Sequence, residues 1–203
     1  SEIASKFYKL KPRNIIAVTG TNGKTSVADF FYQTLNINNI PASSIGTLGV
    51  KYKNKIIKND LTSPDTITLH KNLEKLKKNN IDNVIIEASS HGLDQNRLDN
   101  INFKAAIFTN FSQDHLDYHK TMKSYLNAKL TLFSKLLTKK NYVISDKFIK
   151  EFKILKKISK KNKLKLLNIT NTLNEIKNTS ISLPGNFQKK NLSMAILAAQ
   201  LCG

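Results

Sequence analysis

The stretch IIAVTGTNGKTSVADFFYQTL, residues 15–35, joins an apolar β-branched run to an amphipathic helical period through a short turn with two glycines. Such a turn is typical of phosphate-binding loops, because free backbone N–H groups and the helix N-terminus bind an anion together. Lys24 would then reach the β and γ phosphates of a nucleotide, and the Thr25 hydroxyl would bind Mg²⁺. The general loop pattern has a glycine five residues before Gly23, where this sequence has Val18. The stretch predicts a nucleotide-binding βα unit with a shortened loop, and a tight βα turn with an N-terminal lysine is the alternative.

The rest of the chain alternates short apolar runs with longer helical periods. Strands are predicted at 14–19, 83–87, 104–109 and 141–145, and helices at 24–35, 64–78, 124–137 and 186–203. This alternation indicates βαβ units, and the near-continuous apolarity of the first three strands indicates a sheet covered on both faces. Residues 47–57 predict a hairpin that turns at 53–55. We therefore expect an α/β fold in which helices flank a mostly parallel sheet, as in phosphate-loop NTPases, with a small antiparallel excursion.

Length and composition favour a single domain of a larger protein. The 203 residues are enough for one substantial core, and both ends look cut, since one lies almost directly at the first core strand and the other in an apolar helix. No apolar run approaches the ~20 residues that span a bilayer, and the N-terminus lacks the apolar stretch of a signal peptide. The single cysteine, Cys202, cannot form an internal disulfide. We expect a cytoplasmic protein without membrane insertion.

The net charge of +19 raises the question of a nucleic-acid partner, because phosphate backbones attract basic surfaces. Only Arg13 and Arg97 are arginines, although arginine is the residue suited to bidentate base and phosphate contacts. The lysines occur together with asparagine and isoleucine, as in KKNNIDN and KKISKKNKLK, which indicates compositional bias. We interpret the charge as a solvated, lysine-rich surface and expect no nucleic-acid partner.

Five short motifs follow the order and spacing of one known family. They are TGTNGKTS (19–26), LTSPDT (61–66), EASSHGLDQNRL (87–98), TNFSQDHLDYH (109–119) and LNAKLTLF (126–133). The first motif resembles the ATP loop of the Mur ligases and of their folylpolyglutamate synthetase relatives. The forms SSHGL-x-Q-x-R and DHLDYH resemble the branch of the Mur ligases that makes UDP-N-acetylmuramoyl-tripeptide. The resemblance implies the ATP-binding middle domain of a three-domain enzyme, whose outer domains hold the uridine nucleotide and the incoming amino acid.

The resemblance also implies a reaction, the ATP-dependent formation of an amide bond through an acyl phosphate. The substrates would be UDP-N-acetylmuramoyl-L-alanyl-D-glutamate and a third amino acid, diaminopimelate or lysine, in peptidoglycan synthesis. We expect a monomer, and we expect this fragment alone not to catalyse. Another Mur ligase or a folylpolyglutamate synthetase is the nearest alternative. An NTP-driven switch or nucleic-acid-binding NTPase, and a nucleotide-binding module without catalysis, are alternatives of other classes.

The catalytic set is expected to be Lys24, Glu87, His115 and Lys129, which would act on ATP with two Mg²⁺ ions. Glu87 ends a strand, where ligands of open α/β sheets gather, and its carboxylate would bind Mg²⁺ together with Thr25; a glutamate that caps the next turn is the alternative. The resemblance implies that His115 binds a second Mg²⁺ and that Lys129 carries a CO₂-derived carbamate as a further metal ligand. A carbamate requires a neutral amine, and hence a partly desolvated lysine with a lowered pKa.

The other site residues divide into nucleotide and substrate contacts. The expected nucleotide contacts are Gly20, Thr21, Asn22, Gly23, Lys24, Thr25, Ser26, Asn110 and Asn191. Residues 183–199 resemble the adenine-contacting turn and helix of the family, with Gln188 in place of the first of two asparagines. The resemblance implies that the substrate contacts are Thr62, Ser63, Ser89, Gln95 and Arg97. Ser63 before Pro64 would equally begin and cap the helix over 64–78, and a surface position is the alternative for Arg97.

Overall fold

Strand β1, Asn14–Thr19, lies inside the sheet, and all six of its residues are buried. Its side chains alternate between the two faces: Ile15 and Ala17 belong to one apolar cluster, and Ile16 and Val18 to the other. A strand covered on both faces needs the near-continuous apolar run that this segment has. The computed structural model describes residues 1–53, 55–58, 61–178 and 185–203.

The described residues add seven strands and a set of flanking helices to β1. The strands are β2 Ala42–Gly46, β3 Gly49–Tyr52, β4 Lys55–Ile57, β5 Asn83–Glu87, β6 Ala105–Phe108, β7 Tyr142–Ser145 and β8 Lys165–Asn168. The helices are α1 Glu2–Phe7, α2 Lys24–Ile37, α3 Thr66–Lys78, α4 Ser90–Asp94, α5 Leu116–His119, α6 Met122–Thr131, α7 Phe152–Asn162, α8 Thr170–Glu175 and α9 Asn186–Gln200. A π-helical segment, Leu132–Leu136, continues α6.

The strands form one sheet in the order β4-β3-β2-β5-β1-β6-β7-β8. The six strands β2, β5, β1, β6, β7 and β8 are parallel to one another, whereas β3 pairs antiparallel with both β2 and β4. The expected α/β class, a mostly parallel sheet flanked by helices with a small antiparallel part, is therefore confirmed. The hairpin prediction is confirmed by β3 and β4, although residue 54 in its turn lies outside the described residues.

Different helices cover the two faces of the sheet. On one face, Ile16 and Val18 share a cluster with Phe31 of α2 and Met194 of α9. On the other face, the cluster around Ile15 includes Leu69 and Leu73 of α3 and Leu155 of α7. Full burial of an aliphatic or aromatic side chain of this size stabilises the fold by roughly 1.5–3 kcal/mol. Within the described ranges, every helix is too short or too polar to cross a membrane.

Several element boundaries differ from the sequence prediction. The predicted strands at 104–109 and 141–145 are shorter in the structure, and the helix predicted at 124–137 ends as an α-helix at Thr131 and continues as the π-helical segment. Strands β2 and β8 and helices α1, α5, α7 and α8 were absent from the prediction. β8 has two half-buried leucines between an exposed lysine and an exposed asparagine, and β2 contains two serines and a glycine. Neither strand has the continuous apolar run used to identify the other parallel strands.

The predicted start of α3 at Pro64 is wrong, because the helix begins at Thr66. Asp65 is its N-cap and accepts hydrogen bonds from the backbone N–H groups of Ile67 at 2.9 Å and Thr68 at 3.1 Å. The Ser63 hydroxyl, which was the alternative cap, instead donates to the Glu87 backbone carbonyl at 2.8 Å. Ser63 therefore ties the segment before α3 to the end of β5.

Candidate active site

The site lies at the carboxyl ends of the central strands. In the sheet register Glu87 of β5 is opposite Val18 of β1, and Thr19 of β1 is opposite Phe108 of β6. The turns that follow these strands must therefore meet at one edge of the sheet, where open α/β sheets bind their ligands. An open cavity of about 510 Å³ lies there. Its walls are Thr21, Asn22, Gly23, Lys24, Thr25, Ser26, Thr47, Leu61, Thr62, Ser63, Glu87, Ser89, Ser90, His91, Arg97, His115 and Lys129.

Thirteen of the residues predicted for the site line this cavity together. They come from the loop 21–26, the segment 62–63, the end of β5, the turns before and after α4, the α5 N-terminus and α6. Four other predicted residues are outside the cavity wall: Gly20, Gln95, Asn110 and Asn191. The sequence prediction missed four wall residues, Thr47, Leu61, Ser90 and His91.

The loop before α2 is shaped to expose backbone N–H groups. Helix α2 begins without a side-chain cap, and its first turn contains no acidic residue, so no residue of the helix itself offsets the partial positive charge of its N-terminus. Gly20 has a φ of +145°, and a Cβ there would lie 1.9 Å from Thr109 Oγ1 and 3.0 Å from the backbone oxygen of Asn110. Only glycine fits this close approach. The loop is therefore suited to an anion.

The end of β6 fixes the conformation of the loop. Both amide atoms of Asn110 contact Asn22: Oδ1 accepts from the backbone N–H at 2.9 Å, and Nδ2 donates to the backbone oxygen at 3.1 Å. Thr109 Oγ1 donates to the same Asn22 oxygen at 2.6 Å, and the backbone N–H of Thr21 donates to the Asn110 oxygen at 3.0 Å. Asn110 thus orients the loop, and its contact with a nucleotide stays a prediction.

Two lysine amines meet at one carbonyl of the loop. Lys24 Nζ donates to the Gly20 oxygen at 3.0 Å and to the Thr21 oxygen at 2.8 Å, and Lys129 Nζ donates to the Gly20 oxygen at 2.8 Å. Only 1% of Lys129 is exposed, and its amine lies 4.4 Å from the centre of the Tyr125 ring. Burial, and secondly the charge of Lys24, lower the pKa of Lys129 to about 7. Burial also lowers the pKa of Lys24.

A buried carboxylate lies across the cavity from these amines. Glu87 Oε2 accepts a hydrogen bond from Thr25 Oγ1 at 2.8 Å, and Oε1 accepts one from the backbone N–H of Thr47 at 3.0 Å. Burial raises the pKa of Glu87, whereas the hydrogen bonds from Thr25 and Thr47 oppose that rise. Gly46, the residue before Thr47, has no room for a side chain, because a Cβ would lie 2.0 Å from Glu87 Oε1. The end of β2 therefore forms a cradle for this carboxylate.

Ser63, Ser89 and Arg97 form a linked group on the cavity wall. The hydroxyls of Ser63 and Ser89 lie 3.0 Å apart, and the Ser89 hydroxyl also caps α4 by accepting from the Gly92 N–H at 3.0 Å. Arg97 Nη1 donates to the Ser63 oxygen at 2.9 Å, and its Nε donates to Gln95 Oε1 at 2.9 Å. Gln95 is outside the cavity wall but holds the guanidinium that lies in it.

His115 lies on the cavity wall in a left-handed backbone conformation, with a φ of +52°. Its backbone N–H donates to Asp114 Oδ1 at 2.9 Å, and its ring Nε2 lies 3.4 Å from Asp114 Oδ2. The His91 ring packs edge to face against it, with ring centres 5.0 Å apart. A non-glycine residue in this conformation costs on the order of 1 kcal/mol, and such positions cluster at functional sites. Burial, and secondly the charge of His115, lower the pKa of His91.

Helix α9 packs beside the loop through Asn191. This residue is buried, and its side chain lies so close to the loop that a Cβ on Gly23 would be 2.7 Å from Asn191 Oδ1. Asn191 Nδ2 donates to Gln188 Oε1 at 3.0 Å. The first residues of the turn predicted to contact adenine, 183–184, lie outside the described residues. The described part of that segment thus places an amide pair next to the loop.

The donor atoms of the cavity fit a magnesium ion that is bound partly by substrate phosphates better than a metal ion bound only by protein side chains. Within the described ranges, no group of three histidine, cysteine or carboxylate side chains could hold a metal ion. Thr25 and Glu87 offer a hydroxyl and a carboxylate 2.8 Å apart beside the loop. Magnesium is typically bound by one or two carboxylates together with substrate phosphates. The site therefore fits a metal that arrives with a polyphosphate.

The sequence matches one protein family over most of its length. The pattern of the family described as "Mur ligase middle domain" matches residues 18–199. A "UDP-N-acetylmuramoyl-L-alanyl-D-glutamate--2,6-diaminopimelate ligase" of Rickettsia bellii (strain RML369-C) is 40% identical over 219 aligned residues, which cover 96% of this chain and 46% of the relative. A protein of the same name from Brucella melitensis biotype 1 is 47% identical over 136 residues, covering 67% of this chain and 28% of the relative. The chain spans about half or less of the length of these relatives.

Solved structures share the fold. A structure of a "UDP-N-acetylmuramoyl-L-alanyl-D-glutamate--2, 6-diaminopimelate ligase" superposes with a TM-score of 0.83 at 26% identity and covers 100% of this chain, which spans 46% of that protein. The structure described as "FPGS-AMPPCP complex" has a TM-score of 0.70 at 12% identity, with 98% of this chain and 61% of that protein covered. The second likeness concerns the fold alone.

Proposed function

Because the chain belongs to the Mur ligase family and matches its middle domain, we propose that it is the ATP-binding part of a longer amide-forming ligase. The reaction is the addition of a third amino acid to UDP-N-acetylmuramoyl-L-alanyl-D-glutamate in peptidoglycan synthesis. The names of the relatives favour 2,6-diaminopimelate over lysine as that amino acid. The longer protein supplies the regions that hold the uridine nucleotide and the incoming amino acid, since this chain covers less than half of its relatives.

One observation carries the proposal: Lys24, Thr25, Glu87, His115 and Lys129 line a single cavity at the uncapped N-terminus of α2. These residues are spread over more than 100 positions of the chain, and the parallel sheet brings them together. The cavity combines anion-binding backbone, cationic amines and oxygen donors. This combination suits phosphoryl transfer, in which a protein contributes mainly positioning and neutralisation of charge.

ATP binds with its polyphosphate across the loop 20–25. The N–H groups at the start of α2 and the amine of Lys24 bind the phosphate oxygens. For this contact, Lys24 leaves the carbonyls of Gly20 and Thr21, which it now contacts at 3.0 and 2.8 Å. Asn110 keeps the loop in the receptive conformation through its two hydrogen bonds to Asn22.

Thr25 and Glu87 would hold one Mg²⁺, and His115 with a carboxylated Lys129 would hold a second. Bound magnesium supplies charge neutralisation and fixes the orientation of the transferring phosphoryl group. The buried Glu87 is kept in place by Thr47 and by the absence of a side chain at Gly46. This positioning matters because a carboxylate displaced by ~1 Å loses much of its effect on a transition state.

Lys129 is the chain's candidate for modification by CO₂. Carbamate formation joins the nitrogen of a neutral amine to the carbon of CO₂ and releases one proton. A pKa lowered to about 7 leaves about half of the Lys129 amine neutral at neutral pH, whereas an ordinary lysine is almost entirely protonated. The resulting carboxylate has the oxygen donors that Mg²⁺ prefers and that an amine lacks. Burial thus keeps part of the Lys129 amine neutral, and the neutral amine can react with CO₂ to become a metal ligand.

The muramoyl-dipeptide places its terminal carboxylate near Arg97, Ser89 and Thr62, which line the cavity. A carboxylate oxygen attacks the γ phosphorus of ATP, ADP leaves, and an acyl phosphate forms. The amine of the incoming amino acid then attacks the acyl carbon, phosphate leaves, and the amine loses a proton. Lys24 neutralises the charge that develops on the transferring oxygens during the first step.

The proposal is tested by nucleotide binding to the chain and by turnover of the longer ligase. Isothermal titration of the chain with a non-hydrolysable ATP analogue and Mg²⁺ should show one site, and Lys24→Met should weaken it, whereas the matched surface variant Lys123→Met should not. In the longer ligase, ADP release should require the uridine-linked dipeptide and diaminopimelate together. ADP release that depends on a folate or on single-stranded RNA instead would overturn the proposed substrate class.

A further inference from the structure

The positive charge of the chain is concentrated in one stretch. Residues 135–165 contain 12 of the 33 lysines and arginines but only 2 of the 14 acidic residues. This stretch therefore carries more than half of the net charge of +19, although it is less than a sixth of the chain. The even lysine-rich surface expected from composition does not account for such segregation.

All 12 of these lysines are exposed, and they surround one edge of the sheet. They are Lys135, Lys139, Lys140, Lys147, Lys150, Lys153, Lys156, Lys157, Lys160, Lys161, Lys163 and Lys165, hereafter the α7 basic surface. In the described part of the chain, none of them forms an ion pair with an acidic side chain. One of the two acids of this stretch, Asp146, is buried and pairs with Lys190 at 2.7 Å. The positive charge of the α7 basic surface is thus not neutralised by acidic side chains of the described residues.

Two exposed apolar side chains lie within this field. Phe148, in the turn before α7, is 75% exposed, and the Lys147 amine lies 5.1 Å from its ring centre. Ile154 is 36% exposed and shares a helix face with Lys157 and Lys161, three and seven positions later. The neighbouring face of α7 is anchored in the core by the fully buried Leu155. A fixed helix therefore presents lysines and apolar side chains to solvent together.

This chemistry fits an anionic lipid surface better than a nucleic acid. Lysines attract anionic headgroups as point charges, and apolar side chains among them enter the interface between headgroups and acyl chains. Nucleic-acid surfaces typically add arginines, which bind phosphate and base edges bidentately, and the α7 basic surface has none. We propose that the α7 basic surface docks the protein reversibly on anionic membrane lipid.

The docking surface and the catalytic cavity are separate. Strand β8 is at the edge of the sheet, three strands from β1, and none of the 12 lysines lines the cavity. Binding to a membrane through α7 therefore leaves the cavity open to its substrates. The inference stands on charge and exposure, so it holds or fails independently of the proposed ligase reaction.

Vesicle flotation tests the inference with the chain itself. The chain should float with phosphatidylcholine vesicles that contain 30% phosphatidylglycerol and should stay in solution with phosphatidylcholine alone. A variant with Lys153, Lys157, Lys160 and Lys161 changed to glutamine should bind on the order of 600-fold more weakly, since each lysine close to an anionic surface contributes roughly fivefold. Phe148→Ala should weaken binding by roughly tenfold at unchanged net charge.

A matched variant controls for net charge. It changes Lys55, Lys58, Lys71 and Lys75, which are also exposed, to glutamine and should bind vesicles nearly as tightly as the wild type. Equal losses in the two quadruple variants would mean that total charge, and not the α7 basic surface, binds the lipid, and would overturn the inference. It would also be overturned if Phe148→Ala bound vesicles as the wild type does while single-stranded RNA displaced the chain from them, because the surface would then be a general polyanion site.

Discussion

Replacement of Lys129 by methionine should make the protein more stable at neutral pH. Only 1% of Lys129 is exposed, and its pKa is lowered from 10.5 to about 7. By linkage, keeping the charge buried costs about 4 kcal/mol of folding free energy at pH 7. Methionine has similar length and no charge, but it loses the hydrogen bond to the Gly20 oxygen and the contact with the Tyr125 ring, which together contribute about 1–2 kcal/mol. The expected gain is about 2–3 kcal/mol.

The pH dependence of this gain identifies its cause. The folded amine has the lower pKa, so between pH 7 and pH 10.5 the unfolded chain binds more protons and the wild type becomes more stable as pH rises. The advantage of Lys129→Met should therefore shrink above pH 7 and vanish near pH ~9. Urea unfolding of both proteins in CO₂-free buffers at pH 7, 8 and 9 measures it, with Lys123→Met as the exposed control. A methionine variant that is less stable at pH 7, or a gain independent of pH, would refute the argument.

Three further predictions concern the loop, the carboxylate cradle and a buried histidine. Lys24→Met should lower the affinity for an ATP analogue on the order of 100-fold by titration calorimetry, because a charge-assisted hydrogen bond contributes about 1.5–3 kcal/mol; an unchanged affinity would place the polyphosphate elsewhere. Thr47→Val removes the hydroxyl that lies 3.4 Å from Glu87 Oε2 and should weaken Mg²⁺-dependent nucleotide binding about fivefold. Thr47→Ser keeps the hydroxyl and should bind the nucleotide as the wild type does. Equal affinities of the two variants would contradict positioning of Glu87 through the hydroxyl. Burial, and secondly the charge of Lys11, lower the pKa of His70 from 6.5, so the unfolded chain binds the proton first and the wild type should lose stability as pH falls below 6.5. Urea unfolding at pH 7.5 and 5.5 should show a fall in the free energy of unfolding for the wild type and no such fall for His70→Leu. Equal falls in both proteins would exclude His70 as the cause.

The core of the fold could be predicted from sequence because its signals are local. Strand β1, the glycine turn and the start of α2 lie within one short stretch, and each has its own signature of apolar run, glycine and helical period. The strand that ends at Glu87 was predicted with correct limits for the same reason. Once these parallel strands are recognised, their carboxyl ends must meet, so the convergence of Lys24 and Glu87 follows from topology.

The parts that were missed depend on contacts between distant segments. Strand β2 ends in a glycine because it pairs with β5, where Gly46 must leave room for the Glu87 carboxylate. Without β2, Thr47 could not be placed in the cavity. For Ser63, helix capping is as good an interpretation as substrate contact on sequence alone, because a serine before proline is a good local signal. In the structure its hydroxyl instead contacts the end of β5, and Asp65 caps the helix.

The proposed carbamate on Lys129 marks the limit of sequence reasoning. The sequence contains 31 lysines, and only the resemblance of LNAKLTLF to a family motif singled out this one. The structure adds the physical reason: the residue is buried beside the loop, and its pKa is lowered to about 7. A lysine charge buried against another amine destabilises the fold, which is a cost that functional sites often carry.

The central claim is that the loop holds the polyphosphate of ATP while the oxygen donors around it gather the metals. A crystal structure of the chain grown with a non-hydrolysable ATP analogue, Mg²⁺ and bicarbonate at pH 8 tests this claim most directly. We expect phosphates against the start of α2, a metal between Thr25 and Glu87, and a carboxylated Lys129 near His115. A nucleotide bound away from the loop, or one bound there with Glu87 far from any metal, would contradict it.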